Sequence, residues 1–280
     1  MRFKPTAPYR HYLRYHGRSL DQVPQEELDS IQQKIENRFK PAEPTASVVI
    51  IVHNEEKYLL ATLASLADME PACATELLFV NNRSTDGTQD ILDRVGVRNI
   101  YQPEKGIPKT RQAGLENARG SYLLTGDADT IYKRHWVDHL VKPLEDPAIT
   151  CTYSMYVFYQ ENGRYPFMHY FYHLAKYLAM QLQAWKRAHL NAMGGGMAFR
   201  RQDALELGGY DPEMKRGSDG NLAWRLSQRG KVVFVDKAAA DVISNMRRAF
   251  ADGSMSKALW KRVRKLLGRF SHYFSAQSKT

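Results

Sequence analysis

The sequence has few of the features that mark secreted, disulfide-bonded or membrane-spanning proteins. Only two cysteines occur among 280 residues, Cys73 and Cys151, and their spacing suggests neither a disulfide framework nor a metal site. The N-terminal residues lack the apolar segment of a signal peptide, and no apolar run approaches the roughly 18 residues that span a bilayer. We therefore expect a cytoplasmic protein in which any membrane contact is peripheral, on the inner face.

Acidic residues are outnumbered by basic ones, since 40 Lys and Arg stand against 30 Asp and Glu and give a formal net charge of +10. Such a charge favours anionic partners, which include nucleotide diphosphates, acidic lipids and nucleic acids. The basic residues cluster in the two terminal segments, and no zinc-finger, helix-turn-helix or RNA-binding aromatic pattern is present. We therefore expect no nucleic acid partner.

The texture of the sequence changes at residue 47. Residues 1–46 are basic and aromatic at first and then carry Leu28, Ile31, Ile35 and Phe39 at helical spacing. Short β-branched runs then alternate with amphipathic segments, which predicts an α/β fold with a predominantly parallel twisted sheet flanked by helices. The predicted strands are 48–52, 77–81, 99–102, 122–125, 149–153 and 232–235. The predicted helices of this region are 55–67, 86–94, 108–119, 136–144 and 165–188.

The predicted organisation has three parts. They are an N-terminal extension at 1–46, an α/β domain at 47–245 with halves at 47–130 and 131–245, and a C-terminal helix at 246–280. The apolar helix at 165–188 should be mostly covered, in the core or at a dimer contact. Residues 256–274 are predicted to form a basic amphipathic helix, for which docking on an anionic membrane and packing against protein both remain open.

Polar side chains gather where three predicted strands end, and ligands of parallel α/β sheets bind beyond those ends. We therefore expect the three groups to line one rim and to contact a nucleotide. The candidates are His53, Asn54 and Glu55 after the first strand, Asn81, Asn82 and Asp86 after the second, and Asp127, Ala128 and Asp129 after the fourth.

Asp127 and Asp129 can both turn towards one divalent cation. Mg²⁺ or Mn²⁺ held by one or two carboxylates usually completes its shell with water and diphosphate oxygens, and such a metal neutralises a departing diphosphate. An Asp-x-Asp pair alone also occurs in ordinary loops, so the convergence on one rim is what favours a metal site.

The other polar residues have two readings each. The amides of Asn81 and Asn82 can read a base edge, whereas Glu55 and Asp86 can equally serve the N-termini of helices. Lys109 and Arg111 can bind phosphate or face solvent. Gly195 and Gly196 can let a ligand approach the backbone, or they can act as a hinge.

A series of ordered motifs between residues 47 and 236 resembles glycosyltransferase family 2. The motifs lie at 49–55, 80–88, 109–114, 126–129, 194–201, 208–211 and 218–226. The resemblance implies a GT-A fold and the inverting transfer of a sugar from a nucleotide diphosphate, UDP favoured, to a hydroxyl of a glycan or lipid-linked acceptor. It also implies that Asp127 and Asp129 contact ribose, metal and diphosphate, and that Asp219 is the general base.

A base suits this chemistry because a sugar hydroxyl is a poor nucleophile until its proton begins to leave. The position of Asp219 also suits an N-cap of the helix that runs to Leu226. Attack on the face opposite the leaving diphosphate inverts the anomeric centre.

The sequence departs from the family pattern in three places. Asn81 and Asn82 stand where the family often has carboxylates, and Ser218 stands in place of the acidic residue before the predicted base. No histidine lies between His189 and His272, where the family often carries one after the last strand. Asp241, Ser244, Arg247 or Arg248 could replace it, and Arg247 with Arg248 is predicted to bind the diphosphate.

Two other functions remain open. A sugar-phosphate nucleotidyltransferase also binds nucleotides and metal on an α/β sheet, but it should carry a glycine-rich basic loop where residues 53–56 are acidic. A non-catalytic nucleotide-sugar-binding or scaffold protein is the second alternative, against which the three carboxylates Asp127, Asp129 and Asp219 argue. The sequence leaves open the sugar, the acceptor, the linkage and whether the chain forms a homodimer.

Overall fold

The computed structural model describes residues 7–159 and 167–245. The helices in these ranges are α1 Ala7–Arg10, α2 Gln25–Phe39, α3 Glu56–Ala67, α4 Thr88–Val95, α5 Ile107–Asn117, α6 Trp136–Val141, α7 Phe167–Lys186, α8 Arg201–Glu206 and α9 Ser218–Leu226. The strands are β1 Ala46–Val52, β2 Thr75–Asn81, β3 Asn99–Tyr101, β4 Tyr122–Asp127, β5 Thr130–Ile131, β6 Ile149–Tyr153, β7 Tyr156–Tyr159, β8 Met197–Arg200, β9 Lys231–Phe234 and β10 Val242–Asn245.

Seven strands form a central sheet in the order β3-β2-β1-β4-β8-β6-β9. All pairs in it are parallel except those of β8, which runs antiparallel to both β4 and β6. A second sheet of three strands, β5-β10-β7, lies beside the end of β4. The predicted mixed α/β fold with a mainly parallel sheet is therefore confirmed.

The six predicted strands correspond to β1, β2, β3, β4, β6 and β9, with boundaries that agree within two residues. The four strands that the sequence did not predict are β5, β7, β8 and β10, and each has only two to four residues. Segments this short contain too few residues for a period of two to be recognised. Tertiary pairing, rather than local pattern, defines them.

Helix α2 packs on the α/β core through the four apolar residues that predicted it, all of which are buried. They belong to the same hydrophobic cluster as β1 and α3, and so do Tyr12 and Tyr15 from the preceding segment. Arg38 closes the end of this contact by donating hydrogen bonds to the carbonyl oxygens of Ala67 and Met69, at 2.8 and 2.6 Å. The N-terminal segment therefore shares one core with the sheet.

Helix α7 has one buried and one exposed face. Tyr172 and Met180 are buried against the sheet, whereas Phe167 and Trp185 are exposed. Within this chain the expectation of a mostly covered helix is therefore not met. No helix in the described ranges is long and apolar enough to cross a bilayer, and the predicted helix at 256–274 lies outside those ranges.

Candidate functional site

The carboxyl ends of β1, β2 and β4 meet at one edge of the central sheet. Val52 pairs with Asn81 on one side of β1, and Ile51 pairs with Asp127 on the other. Because the three strands are parallel, the loops that follow them leave the sheet side by side. The structure thus brings together the three groups of polar residues that the sequence placed on one rim.

The loops after β1 and β2 are joined by hydrogen bonds. The Asp86 carboxylate accepts the backbone N–H of Thr88 at 3.1 Å and that of Glu56 at 3.2 Å, so it serves the first turns of α4 and α3 together. Asn54, in the left-handed region at a φ of 53°, accepts the N–H of Thr85 through its side-chain oxygen at 2.8 Å. Asp86 and Asn54 thus hold the rim in shape, and their predicted nucleotide contacts stay predictions.

The amides of Asn81 and Asn82 are buried and engaged within the protein. Asn82 donates to the carbonyl oxygens of Gln102 and Glu104, at 3.1 and 2.6 Å, and accepts the N–H of Gly106 at 3.1 Å. Asn81 likewise uses both ends of its amide. Each amide oxygen accepts one hydrogen bond within the protein, and a carbonyl oxygen has two lone pairs. Asn82, but not Asn81, lines the cavity described next. Base reading by these residues stays a prediction.

A small cavity of about 190 Å³ lies over these loops, and we call it the nucleotide-side cavity. Its lining residues are Ile51, Val52, His53, Glu55, Asn82, Lys105, Gly106, Ile107, Thr110, Asp127 and Ala128. His53 is exposed, with Nδ1 2.6 Å from the carbonyl oxygen of Asn82, and Glu55 is buried at the N-cap of α3. The predicted contacts His53, Glu55, Asn82, Asp127 and Ala128 therefore share one concave surface.

Arg111 lies between the two carboxylates that the sequence singled out in the fourth strand and in the last helix. Its Nη2 is 2.7 Å from Asp127 Oδ1, its Nε is 3.5 Å from Asp219 Oδ1, and its Nη1 donates to the carbonyl oxygen of Gly126 at 2.8 Å. The Arg111 side chain is only 2% exposed, whereas the carboxylates are about one-fifth exposed, at 21% and 20%. A buried guanidinium thus joins two carboxylates that open to solvent.

Burial and neighbouring charges shift the pKa values in this cluster in opposing directions. Burial raises the pKa of Asp219, the Arg111 guanidinium lowers it in part, and the Asp127 carboxylate raises it again. Burial alone would lower the pKa of Arg111, but the neighbouring Asp219 and Asp127 carboxylates raise it, so the guanidinium stays charged. Asp219 is therefore a carboxylate with a proton affinity above that of an ordinary aspartate.

The helix that carries Asp219 is capped by another residue. α9 begins at Ser218, and its N-cap is Gly217, which adopts a left-handed φ of 80°. Asp219 lies in the first helical turn with its carboxylate facing Arg111. The alternative in which Asp219 is the N-cap residue is thus wrong.

The glycines before β8 let the backbone approach this cluster. A Cβ on Gly194 would lie 2.6 Å from Asp219 Oδ2, and one on Gly195 would lie 2.6 Å from Asp127 Oδ2. A Cβ on Gly196 would lie 2.9 Å from the Ser154 hydroxyl oxygen. All three distances are shorter than non-bonded contacts allow, so a side chain at any of these glycines would displace its neighbours.

A larger cavity of about 610 Å³ opens on the other side of Asp127, and we call it the acceptor-side cavity. Its lining residues are Ile51, Ile107, Arg111, Asp127, Tyr156, His189, Leu190, Ala192, Met193, Gly194, Met214, Gly217, Asp219, Gly220, Asn221 and Trp224. Ile51, Ile107 and Asp127 line both cavities. Two cavities of different size therefore meet at Asp127.

Some predicted residues do not line either cavity. Asp129 is buried beside β5, and Lys109 pairs with Glu104 on the outer side of α5. Gly195 and Gly196 pack behind the cluster, and Arg247 and Arg248 lie outside the described residues. For these six residues, contact with a donor stays a prediction.

Two tyrosines of the site were missed by the sequence reasoning. The Tyr156 hydroxyl donates to Asp127 Oδ2 at 3.3 Å, and burial raises its pKa well above the usual range. The hydroxyl of Tyr210 is buried close to Asp219 and Arg111, and it has no hydrogen-bond partner in the described part of the chain. Tyr210 belongs to the motif at 208–211, so the sequence could have indicated it as a site residue. Tyr156 lies in a run of aromatic residues that matches no motif.

The donor set near Asp127 suits a hard divalent cation that is shared with a ligand. Among the described residues no three His, Cys, Asp or Glu side chains could hold a metal together. Arg111 engages Asp127 Oδ1 at 2.7 Å, whereas Asp127 Oδ2 accepts a longer hydrogen bond from Tyr156 at 3.3 Å and is the more weakly bound of the two oxygens. Mg²⁺ and Mn²⁺ bind through one or two carboxylates when diphosphate and water supply the other ligands, and this set fits that pattern.

Solved glycosyltransferases share this architecture. S. aureus TarS 1-349 in complex with UDP-GlcNAc matches with a TM-score of 0.56 and 19% identity, over 72% of this chain and 59% of that chain. The mannosyltransferase PcManGT from Pyrobaculum calidifontis, solved with GDP-Man and Mn²⁺, matches with a TM-score of 0.56 and 17% identity, over 78% and 65% of the two chains. The fold is thus that of the GT-A glycosyltransferases.

The sequence defines the family within that class. The profile described as glycosyl transferase family 2 matches residues 47–208, and the chain belongs to this family. The dolichol-phosphate mannosyltransferase of Saccharomyces cerevisiae is 32% identical over 113 residues, which are 37% of this chain and 42% of that protein. The matches to three curated relatives span 34% to 42% of those proteins' own lengths. The family resemblance inferred from the motifs is confirmed.

Proposed function

We propose that this glycosyltransferase moves a sugar from a nucleotide diphosphate, UDP favoured, to a hydroxyl of a glycan or lipid-linked acceptor, with inversion at the anomeric carbon. The observation that carries the proposal is the placement of Asp127 and Asp219 on either side of Arg111, where the two cavities meet. In an in-line displacement the leaving group and the attacking hydroxyl lie on opposite sides of the anomeric carbon. A donor in one cavity and an acceptor in the other would have this arrangement.

The nucleotide-side cavity is assigned to the donor. Asp127 and Asp129 are the residues that would hold Mg²⁺ or Mn²⁺, and the bound cation would supply charge neutralisation for the diphosphate. TarS and PcManGT, which share the fold, were solved with a UDP-sugar and with a GDP-sugar and Mn²⁺. Arg247 and Arg248, the proposed diphosphate contacts of the C-terminal segment, belong to the same assignment.

Asp219 is assigned as the general base for the acceptor hydroxyl. Its carboxylate lines the acceptor-side cavity, and burial raises its pKa, so it holds a transferred proton better than an ordinary aspartate does. Arg111 keeps this carboxylate and Asp127 at a fixed separation. The base and the donor-binding carboxylate are therefore positioned by one buried side chain.

The test is a panel of uridine and guanosine diphosphate sugars, each added with Mn²⁺. A donor present at one hundred times its Kd should raise the stability of the native state by about 2.7 kcal/mol. Hydrolysis, in which water replaces the acceptor hydroxyl, should release the free sugar and the nucleoside diphosphate. Asp127→Asn should lose both effects, whereas Tyr101→Ser, at the far edge of the sheet, should keep them. Binding without release would support the scaffold alternative, and neither effect with any donor would contradict the proposal.

A further inference from the structure

Helix α7 presents a continuous apolar stripe to solvent. Phe167, Phe171, Leu178, Leu182 and Trp185 are between 45% and 81% exposed. Their separations of three, four and seven residues place them on one side of the helix. Soluble monomers rarely expose an apolar surface of this extent without a partner. The stripe therefore needs an occupant.

Contacts on one flank and on the buried face of α7 fix the orientation of the helix, so the stripe cannot turn inwards. The Tyr177 hydroxyl donates to Asp236 Oδ2 at 2.7 Å, and Gln181 Nε2 donates to the same oxygen at 2.6 Å. Met180 packs in a cluster with Tyr153 beneath the helix. The outward direction of the stripe is thus a feature of the folded chain.

The apolar surface continues from α7 to the mouth of the acceptor-side cavity. The chain passes from Trp185 through the 3-10 turn Ala188–Asn191, which carries the exposed Leu190, and then reaches the exposed Met193. Both residues line the cavity, and so does the exposed Trp224 of α9. An apolar occupant of the stripe would therefore also reach the cavity entrance.

Basic charge predominates beside the stripe, where the exposed Asp236, held by Tyr177 and Gln181, is the acidic neighbour. Residues 162–202 contain no Asp or Glu. Lys186 and Arg187 are exposed next to Trp185, and Lys186 Nζ lies 5.0 Å from the centre of the Trp185 ring. Tryptophan beside lysine and arginine is typical of the boundary between lipid acyl chains and anionic headgroups.

Charge also decides between the occupants. The segment 246–280 carries nine Lys or Arg and one Asp, and residues 162–202 contain no acidic side chain to pair with it. A second copy of the chain would likewise meet the same positive flank. An anionic bilayer complements both the apolar stripe and the positive charge, and it attracts the basic C-terminal segment as well.

We propose that the exposed face of α7, with Leu190, Met193 and Trp224 at the cavity mouth, binds an anionic lipid bilayer, so that the acceptor-side cavity opens at the membrane surface. The consequence for the acceptor rests on the proposed function. Of the two acceptor classes, it selects the lipid-linked one, whose hydroxyl is presented at the headgroup level.

The test is co-sedimentation of the full chain with vesicles of phosphatidylcholine, with or without an equal share of phosphatidylglycerol. The wild type should sediment with the anionic vesicles and only weakly with the neutral ones. The triple variant Leu178→Ser, Leu182→Ser, Trp185→Ser should lower the partition coefficient by at least about tenfold, because three apolar side chains no longer enter the lipid. Tyr101→Ser, which removes a side chain 63% exposed on the edge strand β3, should bind like the wild type.

Folding is controlled by comparing the Tm of each variant without vesicles. If the triple variant melts early, Lys186→Gln with Arg187→Gln should still reduce the preference for anionic vesicles. Wild-type binding by the triple variant would assign any membrane contact to the C-terminal segment and overturn the proposal. A wild type that ignores both vesicles, or that is a dimer which the triple variant dissociates, would also overturn it. Vesicle binding without any donor binding would instead contradict only the proposed function.

Discussion

The two cavities that meet at Asp127 are built in different ways. The nucleotide-side cavity is enclosed by loops whose polar groups bond to one another, as the double contact of Asp86 and the triple contact of Asn82 show. The acceptor-side cavity is larger and is bounded by glycines, a helix N-terminus and exposed apolar side chains. The first cavity therefore owes its shape to hydrogen bonds between its own loops, whereas the second is bordered by exposed apolar side chains.

Arg111 is the connection between the two cavities. It stands on α5, reaches Asp127 of the nucleotide half and Asp219 of the acceptor half, and is itself almost fully buried. Removing either partner of a buried ion pair leaves the other partner with an uncompensated charge. The coupling of the two cavities is therefore tested by breaking this ion pair.

The largest effect on stability is expected from Arg111→Ala. Removing one partner of a buried ion pair typically costs about 3–5 kcal/mol, because the remaining charge has lost its solvation and its partner. The free energy of unfolding from denaturant titration measures the loss. Lys109→Ala is the control on the same helix, since its pair with Glu104 is at the surface and exposed pairs contribute about 0–1 kcal/mol. Equal losses in both variants would show that Arg111 does not hold the halves together.

A smaller effect is expected from Gly195→Ala. The added Cβ would stand 2.6 Å from Asp127 Oδ2 and against the Tyr156 hydroxyl, so the cluster must move. Overpacking of this kind typically costs about 1–3 kcal/mol, and donor affinity should fall because Asp127 shifts. Gly220→Ala is the matched control, because its Cβ would have 3.5 Å to the nearest atom and α9 gains a better helix former. A Gly195 variant with wild-type stability and donor affinity would contradict this packing.

The regular part of the fold and the rim of the site were predictable from the sequence. β1, β2 and β4 are mostly buried and rich in β-branched residues or leucine, and each ends in a polar residue or is followed by one, so the strands and their ends are recognisable from the local sequence. The placement of Asp127 beside Glu55 and Asn82 follows from parallel pairing alone. Six strands and the convergence of three loops therefore needed no tertiary information.

The rest of the fold and of the site depends on contacts between residues that are distant in sequence. Arg111 was predicted to bind the nucleotide, and its role between Asp127 and Asp219 required the structure, because helical position does not reveal which side chain a guanidinium will meet. The exposed stripe of α7 was predicted to be covered, because apolar residues are usually buried. The apolar pattern does not identify the surface that would cover them. β8 was missed because it runs against the parallel pattern for only four residues.

The central claim is that Asp219 removes the proton of the acceptor hydroxyl, and the dependence of kcat/KM on pH tests it most directly. Only the ionised carboxylate is a base, and its pKa is raised, so activity should fall on the acid side at a higher pH than for an ordinary aspartate. Asp219→Asn should lower kcat/KM by roughly 10²–10⁴-fold and abolish this limb, with donor affinity unchanged. An Asp219→Asn enzyme that keeps wild-type activity and the same acid limb would contradict the account.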